Sequence, residues 1–584
     1  MAWKIAERDP AEVARLARAL GVREVTARCL ANRGFGSEAA ARSFLEPRLG
    51  ELRPPAGLAG MDAAVGRLAL AVARGERVGC FGDYDVDGVT TAALLSAWLR
   101  GLGVPVSTRV ARRDAGYGFG AGDLDWFAGR GCTLIVTGDC GTSDQATIAA
   151  AAVRGIEVIV VDHHTVPAAG QAHPAVALVN PLRADSSFPF RGLASVGLAF
   201  YLAAALRTRL RADGTWARAA AAGGRGGAEP DLRDLLDLVA VGTLADLVPL
   251  RGENRILTAV GLGRLAARQR PGLAALLGAC GVQPGDPIDE RTVAWKLAPR
   301  LNAPGRLGDA EPALALLLAD DPASASSWAE RLEQANQERR VAQDRVMSEA
   351  LAAAESGSAT ALATEHAIVV WSRGWASGVV GIAAARLADR YRKPAFVIAI
   401  DDGGVGRGSA RNAGRVDLYR VLDRCAPLLV RYGGHAAAAG LTVDEARMPA
   451  IAEAIAAAAA AESRADTAAA EADAQVALGD VDLRLAEELG ALAPFGKENE
   501  PPLLVARGLH VVDSRRVGDG SHLKLELADG RGDRRSAIGF GLGDQDPGPG
   551  AQVSVSFSPT ASTWKGQRRV ELELRALARA DEPG

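Results

Sequence analysis

Residues 77–100 read RVGCFGDYDVDGVTTAALLSAWLR. The apolar run RVGCF has the length of a strand, Asp83, Asp85 and Asp87 alternate directly after it, and a turn at Gly88 opens an apolar helix. A strand buried on both faces ends where its backbone leaves the sheet, so polar side chains at several such ends converge on one crevice at the rim. The alternation continues from about residue 75 to 250 through VPVSTRV, TLIVTG then DQATIAAAAVRG, EVIVV, and VALVN. It predicts an α/β domain whose parallel sheet is covered by helices.

More acids arrive on the later elements. TLIVTG delivers Asp139, EVIVV delivers Asp162-His163-His164, and the helical segment DLVAVGTLADLVPL delivers Asp246. Singly, an Asp after a strand is an ordinary cap or turn residue. Acids from several elements of one unit, gathered mostly on the same side of a sheet, are a different matter, because that charge is not tolerated without cations. Two divalent ions about 3.5–4 Å apart need several carboxylates and one that bridges. Imidazole beside carboxylate moves the preference from magnesium toward manganese, with magnesium the alternative. Such a centre suits hydrolysis of phosphodiesters.

With 584 residues and 48% hydrophobic content, the chain is long enough for three to five domains. Residues 1–60 form a leading helical segment closed at Pro54-Pro55, 61–260 the first α/β domain, and 261–355 a helical connector in which PRLNAPGRLGD is a turn. A second α/β pattern occupies 356–465, with AIVVWSRGW, VVGIAAARLADRY and AFVIAI, and runs out through an Ala/Glu-rich helix into a linker. The Gly-rich stretch around 219–230 reads as an exposed loop. From 470 to 584 five segments alternate with period two between Gly-rich turns, which predicts a five-stranded barrel. The net charge of -3 provides no global basic field, so a nucleic-acid partner has to be held by local arginines or by the metal site. Six cysteines without a CxxC pair argue against disulfides and zinc clusters. The opening MAWKIAERDPAEVARL lacks the apolar stretch of a signal peptide, and no apolar run approaches the roughly 18–20 residues of a membrane span, so a cytoplasmic location without membrane contact is expected.

The motifs GDYDVDGVTT, VTGDCGTSD, VVDHH, GTLADLVPLRGENR, APRLNAPGR, GWASGVVGIAAARL, GRGSARN, YGGHAAAAGL and LAPFGKENEPP occur in this order. In these motifs the chain resembles the DHH phosphoesterases, and within them the RecJ-type single-strand-specific 5′ to 3′ exonucleases, over about residues 50–584. The resemblance implies a parallel-sheet DHH domain, a second α/β DHH-associated domain and a C-terminal OB-like β-barrel. It implies a first metal at Asp85 and Asp139 with Asp83 beside it, and a second at Asp87, the bridging Asp139, His163 and Asp246. Asp162 is then expected to orient a histidine, and His164 to contact the scissile phosphate.

For the strand itself, the resemblance implies phosphate contacts from Arg112 with Tyr117 where the 5′ end sits, from Arg300, Asn302 and Arg306, from Ser409 and Arg411 on a Gly-rich turn, and from His435. In the barrel it suggests His522, Lys524, Trp564, Lys565, Arg568 and Arg569. Two positions depart from the family: Ala376 stands where a histidine is usual, and Asn412 where a serine is usual. The implied role is digestion of single-stranded DNA to 5′-mononucleotides in recombination and repair, by a monomer working with single-strand-binding protein and a helicase. Relatives acting on short or cyclic nucleotides usually lack the barrel, and non-catalytic replisome relatives lose metal ligands that this chain keeps.

Overall fold

The computed structural model describes residues 3–113, 116–167, 172–216, 229–414, 416–462, 471–564 and 567–579. Most of the Gly-rich stretch around 219–230, and residues 463–470, which include the linker expected between 465 and 470, lie outside the described residues. The chain divides into two compact units, one of Met1–Arg53, Leu247–Val260 and Ala468–Gly584, the other of Pro54–Asp246 and Gly261–Thr467.

In the second unit, strands β1 (Val78–Gly82), β2 (Val106–Val110), β3 (Leu134–Gly138), β4 (Glu157–Val161) and β5 (Ala177–Val179) form a sheet in the order β2-β1-β3-β4-β5. Every pairing is parallel. Every residue of β1 and β3 is buried, as expected of strands covered on both faces. The chain leaves β1 for β2 on one side and returns to β3 on the other, so strand order reverses between β1 and β3. In open α/β sheets the crevice beyond the carboxyl ends at such a reversal is where ligands bind.

Helix α1 (Val86–Gly101) follows β1 and is buried along most of its length, packing against α2 (Ser195–Ala212) and α3 (Leu236–Ala245). It begins two residues before the Gly88 turn expected from sequence, because Asp85 caps it by accepting the Gly88 N–H at 3.1 Å. Glycine is required at position 88 inside that first turn: a Cβ there would lie 2.4 Å from the Asp83 nitrogen.

The stretch PRLNAPGRLGD is mostly helix α4 (Ala298–Leu307) rather than a turn. Pro299 occupies the first helical turn, where its missing N–H is harmless, a π-helical stretch at Thr292–Leu297 leads in, and Gly308 ends the helix. Helix α5 (Pro322–Ser356), capped by Asp321, then runs toward the second sheet. Six strands make that sheet: β6 (Ala361–Ala363), β7 (Ile368–Arg373), β8 (Ala395–Ile400), β9 (Val405–Arg411), β10 (Arg431–Gly434) and β11 (Ala438–Asp444), in the order β10-β11-β9-β8-β7-β6, with α6 (Val380–Tyr391) packed against it. GRGSARN, expected as a Gly-rich turn offering its amides, lies largely within β9 and pairs with β8 and β11 on both sides, so those amides belong to the ladder. Gly406 and Gly408 serve packing, since a Cβ at either would strike Ile398 and its neighbours.

In the first unit, β12 (Leu504–Val517), β13 (His522–Ala528), β14 (Arg534–Gly539), β15 (Gln552–Trp564) and β16 (Gln567–Arg579) run β12-β13-β14-β16-β15, and pairing of β12 with β15 closes a five-stranded barrel. Leu523, Leu525, Leu527, Val555 and Phe557 point inward and are fully or almost fully buried, each burial stabilising by roughly 1.5–3 kcal/mol. Leu16, Leu30 and Phe44 from the leading helices join the same core. Leu247–Val260, which the sequence reading puts at the end of the first α/β domain, also belongs to this unit. Its Arg255 is buried, donating to the carbonyls of Phe44, Leu492, Ala493 and Pro494 at 2.8–3.3 Å with its guanidinium 3.7 Å from the Phe44 ring. All six cysteines are unpaired. Among the described residues, no helix is long and apolar enough to cross a membrane.

Candidate metal centre

The residue after each central strand is pinned to its neighbour strand. Asp83 N–H donates to the Gly138 carbonyl, Asp139 N–H to Val161 and Asp162 N–H to Val179, at 3.0–3.2 Å. The ladder itself therefore lines three acids along the reversal point. Asp139 adopts φ +62°, a left-handed conformation that a non-glycine residue takes at some cost and that recurs at functional sites. Asp246 caps the C-terminal end of α3, which comes close to α1 because Gly242 has no side chain: a Cβ there would lie 2.3 Å from Thr90 Oγ1.

Three sets of donor atoms result, each set within 4.8 Å: Asp83, Asp85 and Asp139; Asp87, His163 and Asp246; Asp139, His163 and His164. His163 Nε2 stands 3.2 Å from Asp139 Oδ1, 3.5 Å from Asp246 Oδ2 and 4.0 Å from Asp87 Oδ2. Asp139 thus belongs to both sides of the cluster. Asp87 is oriented by the start of α2, its two oxygens accepting the N–H groups of Ser195 and Val196 at 2.7 and 2.9 Å. Ser195 Oγ donates to Asp139 Oδ1 at 3.2 Å. Sequence reasoning did not single out Ser195, whose only signal is its place at a helix start.

Asp162 has a different task. Its Oδ1 accepts the backbone N–H groups of His163 and His164 and lies 2.7 Å from His164 Nδ1, while Oδ2 accepts from Thr142 N–H. The ring it holds is that of His164. Tyr117 closes this side, its hydroxyl donating to the Asp139 carbonyl at 3.1 Å and sitting 3.4 Å from both ring nitrogens of His164.

The electrostatics are those of a site built around cations. Burial, and then the neighbouring carboxylates, push Asp83 and Asp139 well above the usual carboxylate range, and Asp87 to about 7. His163 falls to about 4 through burial and the charge of His164. His164 rises to about 9, because burial is outweighed by its bond to Asp162. Asp162 is held below its ordinary value by the same bond, against burial. Asp83 Oδ1 and His163 Nε2 are buried without a hydrogen bond. Oxygen-rich donors with one or two imidazoles, crowded and short of positive charge, fit divalent cations.

Residues 77–243 match the DHH family N-terminal domain, 364–461 the DHHA1 domain and 472–576 the RecJ OB domain. The single-stranded-DNA-specific exonuclease RecJ of Bacillus subtilis is 32% identical over 99% of this chain and 71% of its own length. The chain belongs to the RecJ family. Among solved RecJ structures, that from Thermus thermophilus in complex with Mn2+ superposes with a TM-score of 0.81 at 30% identity, over 99% of this chain and 80% of that one. The Mg2+ complex from the same organism gives 0.76 at 29% identity, over 100% and 79%.

The other residues expected from the RecJ resemblance fall in several places. Arg112 bridges to Asp309 at 3.8 Å, whereas Arg113 donates to the Gly305 carbonyl, lies over the Tyr84 ring at 4.0 Å and is the arginine whose charge reaches Asp83. Arg300 pairs with Glu333, and Asn302 is half-buried on α4. Arg306 donates to the Gly378 carbonyl at 3.0 Å, and its pKa falls to about 10 through burial and the charges of Arg113, Arg339 and Arg411. Ser409 and Arg411 both face Gly381, where a Cβ would lie 3.1 Å from the Arg411 guanidinium. His435 is exposed at the end of β10 and is in none of the donor sets. Ala376 packs against the core beside α6, and Asn412 donates to the Val416 carbonyl. In the barrel, Lys524 pairs with Glu571 and Arg568 with Glu487, Arg569 is exposed, and His522 packs edge-on against exposed Phe540 at 5.3 Å. The side chain of Trp564, and Lys565, lie outside the described residues.

Proposed function

We propose that this chain hydrolyses single-stranded DNA from the 5′ end to 5′-mononucleotides, using two divalent cations of which manganese is preferred. The observation that carries this reading is the sharing of Asp139 between donor sets that otherwise draw on separate elements. Asp83, Asp85 and Asp139 would hold one ion, and Asp87, Asp139, His163 and Asp246 the other. When bound, such a pair polarises the phosphate and makes water acidic enough to attack near neutral pH. The remaining residues position the substrate. Asp162 fixes the His164 ring so that its outer edge, beside the Tyr117 hydroxyl, meets a phosphate oxygen. Ser195 and the start of α2 hold Asp139 and Asp87 in place. Arg112, Arg306 and Arg411, with Ser409, supply forked and hydroxyl donors for the phosphate at the strand's end, which sets the polarity. The barrel binds the strand further along. The role belongs to recombination and repair, in a cytoplasmic monomer that meets single-strand-binding protein and a helicase.

Digestion of 5′-labelled strands, 3′-labelled strands and duplex, with manganese or magnesium added in turn, tests the reading. The 5′ label should appear first as mononucleotide and duplex should resist. Early release of the 3′ label, or cutting with both ions chelated, would overturn it.

A further inference from the structure

Helix α5 carries a buried stripe from Ala325 to Ala350, spaced alternately by four and three residues, which is one helix face packed along its whole length. Both ends of the stripe are apolar. Its middle is Asn336, Arg339 and Gln343, which are 0%, 9% and 4% exposed. Polar groups buried at such positions lose free energy unless they are fully bonded, so three in succession call for a reason.

Their bonds are incomplete in one sense only. Arg339 Nη1 donates to Gln343 Oε1 and Nη2 to Asn336 Oδ1, both at 2.9 Å, so the two amide oxygens clamp the guanidinium plane. The atoms left over are donors: Arg339 Nε and Asn336 Nδ2 are buried and reach no acceptor among the described residues. Arg340 and Arg386 add positive charge around Arg339, as does Arg300 although Glu333 pairs with it, while the opposing Asp344 is itself 3.6 Å from Arg386. In the other direction Arg339 acts on Arg306, together with Arg113 and Arg411. Helix α5 packs against α4, which carries Arg306, and against α6. Orphaned N–H donors, a guanidinium held rigid and surplus positive charge are the chemistry of an anion seat.

We propose that Asn336 and Arg339 bind a phosphate of the DNA strand, next to the one taken by the metal centre, with Gln343 positioning Arg339. This rests on the exonuclease reading above. The ligand chemistry is a phosphate oxygen, whether of an internal diester or of the terminal group.

The test compares the wild type with Asn336→Leu and with the triple variant N336L/R339M/Q343M, which continues the apolar stripe and leaves no buried acceptor unpaired. Three quantities are read: the melting temperature, KM and kcat on an oligonucleotide, and equilibrium binding of the same oligonucleotide across salt concentrations. We expect melting at or above the wild-type temperature, KM raised about tenfold with kcat within about twofold, and a log–log salt slope for the triple variant shallower by about 0.7, the loss of one phosphate contact to a single strand. Unchanged KM and salt slope would overturn the proposal, as would a loss of binding fully matched by a loss of folding. A wild type that binds DNA without cutting it would refute the exonuclease reading alone, and the binding comparison would still decide the phosphate seat. A defect that vanishes on 5′-hydroxyl strands would assign the terminal phosphate, and an equal defect on both kinds of strand an internal one.

Discussion

Replacing Asp87 by Asn should stabilise the metal-free protein and destabilise the metal-loaded one. Moving this carboxyl from 3.8 to about 7 by burial and the charge of Asp85 costs the folded chain about 4 kcal/mol at pH 8, at about 1.4 kcal/mol per pH unit. Asparagine removes that cost but keeps only one acceptor oxygen for the N–H groups of Ser195 and Val196, a loss of about 1.5–3 kcal/mol. The net gain is about 2 kcal/mol, or roughly 2 °C in melting temperature for a unit of this size. The sign follows from linkage. With its folded pKa raised, the wild-type acid binds more protons folded than unfolded between about pH 4 and 7, so wild-type stability falls as pH rises through that window and the penalty is complete above it. The variant's advantage should therefore shrink toward zero near pH 5. Added manganese should reverse the order, since metal at about 100 times its Kd stabilises a binding chain by about 2.7 kcal/mol and the variant lacks one ligand. Melting in chelator at pH 5, 6, 7 and 8, then with manganese, measures all of this. A difference that stays constant with pH, or a wild type indifferent to metal, would refute the argument.

Asp139→Ala should abolish cleavage, by a factor of at least about 10^3, while single-strand binding in an anisotropy assay changes little; near-normal turnover would remove Asp139 from the shared position. Gly242→Ala would force α3 away from α1 at Thr90 Oγ1, at a cost of about 1–3 kcal/mol, and should weaken metal binding read by calorimetry because Asp246 moves with the helix. Arg255→Met should lower stability by about 3–5 kcal/mol, since it strips hydrogen bonds from buried carbonyls; a denaturant midpoint unchanged from wild type would show that water fills in.

The first sheet and the acids gathered at its rim were legible because continuous apolar runs and the acids that end them are local features. The three strand tips carrying Asp83, Asp139 and Asp162 needed only period and position. Less legible was anything decided by a distant partner. PRLNAPGR has the composition of a turn, yet it is helical because Gly305 lets the chain approach the Tyr84 carbonyl, where a Cβ would lie 2.5 Å away. GRGSARN looks like a loop and is a strand, because its glycines fit beneath Ile398 and Leu441. The pairing of Arg300 with Glu333 and the seat of Arg113 over the Tyr84 ring likewise depend on partners that no local pattern announces. Asn336, Arg339 and Gln343 were invisible since polar residues in a long helix normally mark its wet side. The packing of Leu16 and Phe44 into the barrel core joins residues more than 400 positions apart in the chain, as with Leu485.

The donors enter the chain in a fixed order, at 83, 85, 87, 139, 163 and 246. A growing polypeptide, or a fragment clipped anywhere before Asp246, therefore never assembles the Asp87, His163 and Asp246 set. On the two-ion reading proposed above, cleavage therefore waits until the last acid has docked on the finished sheet.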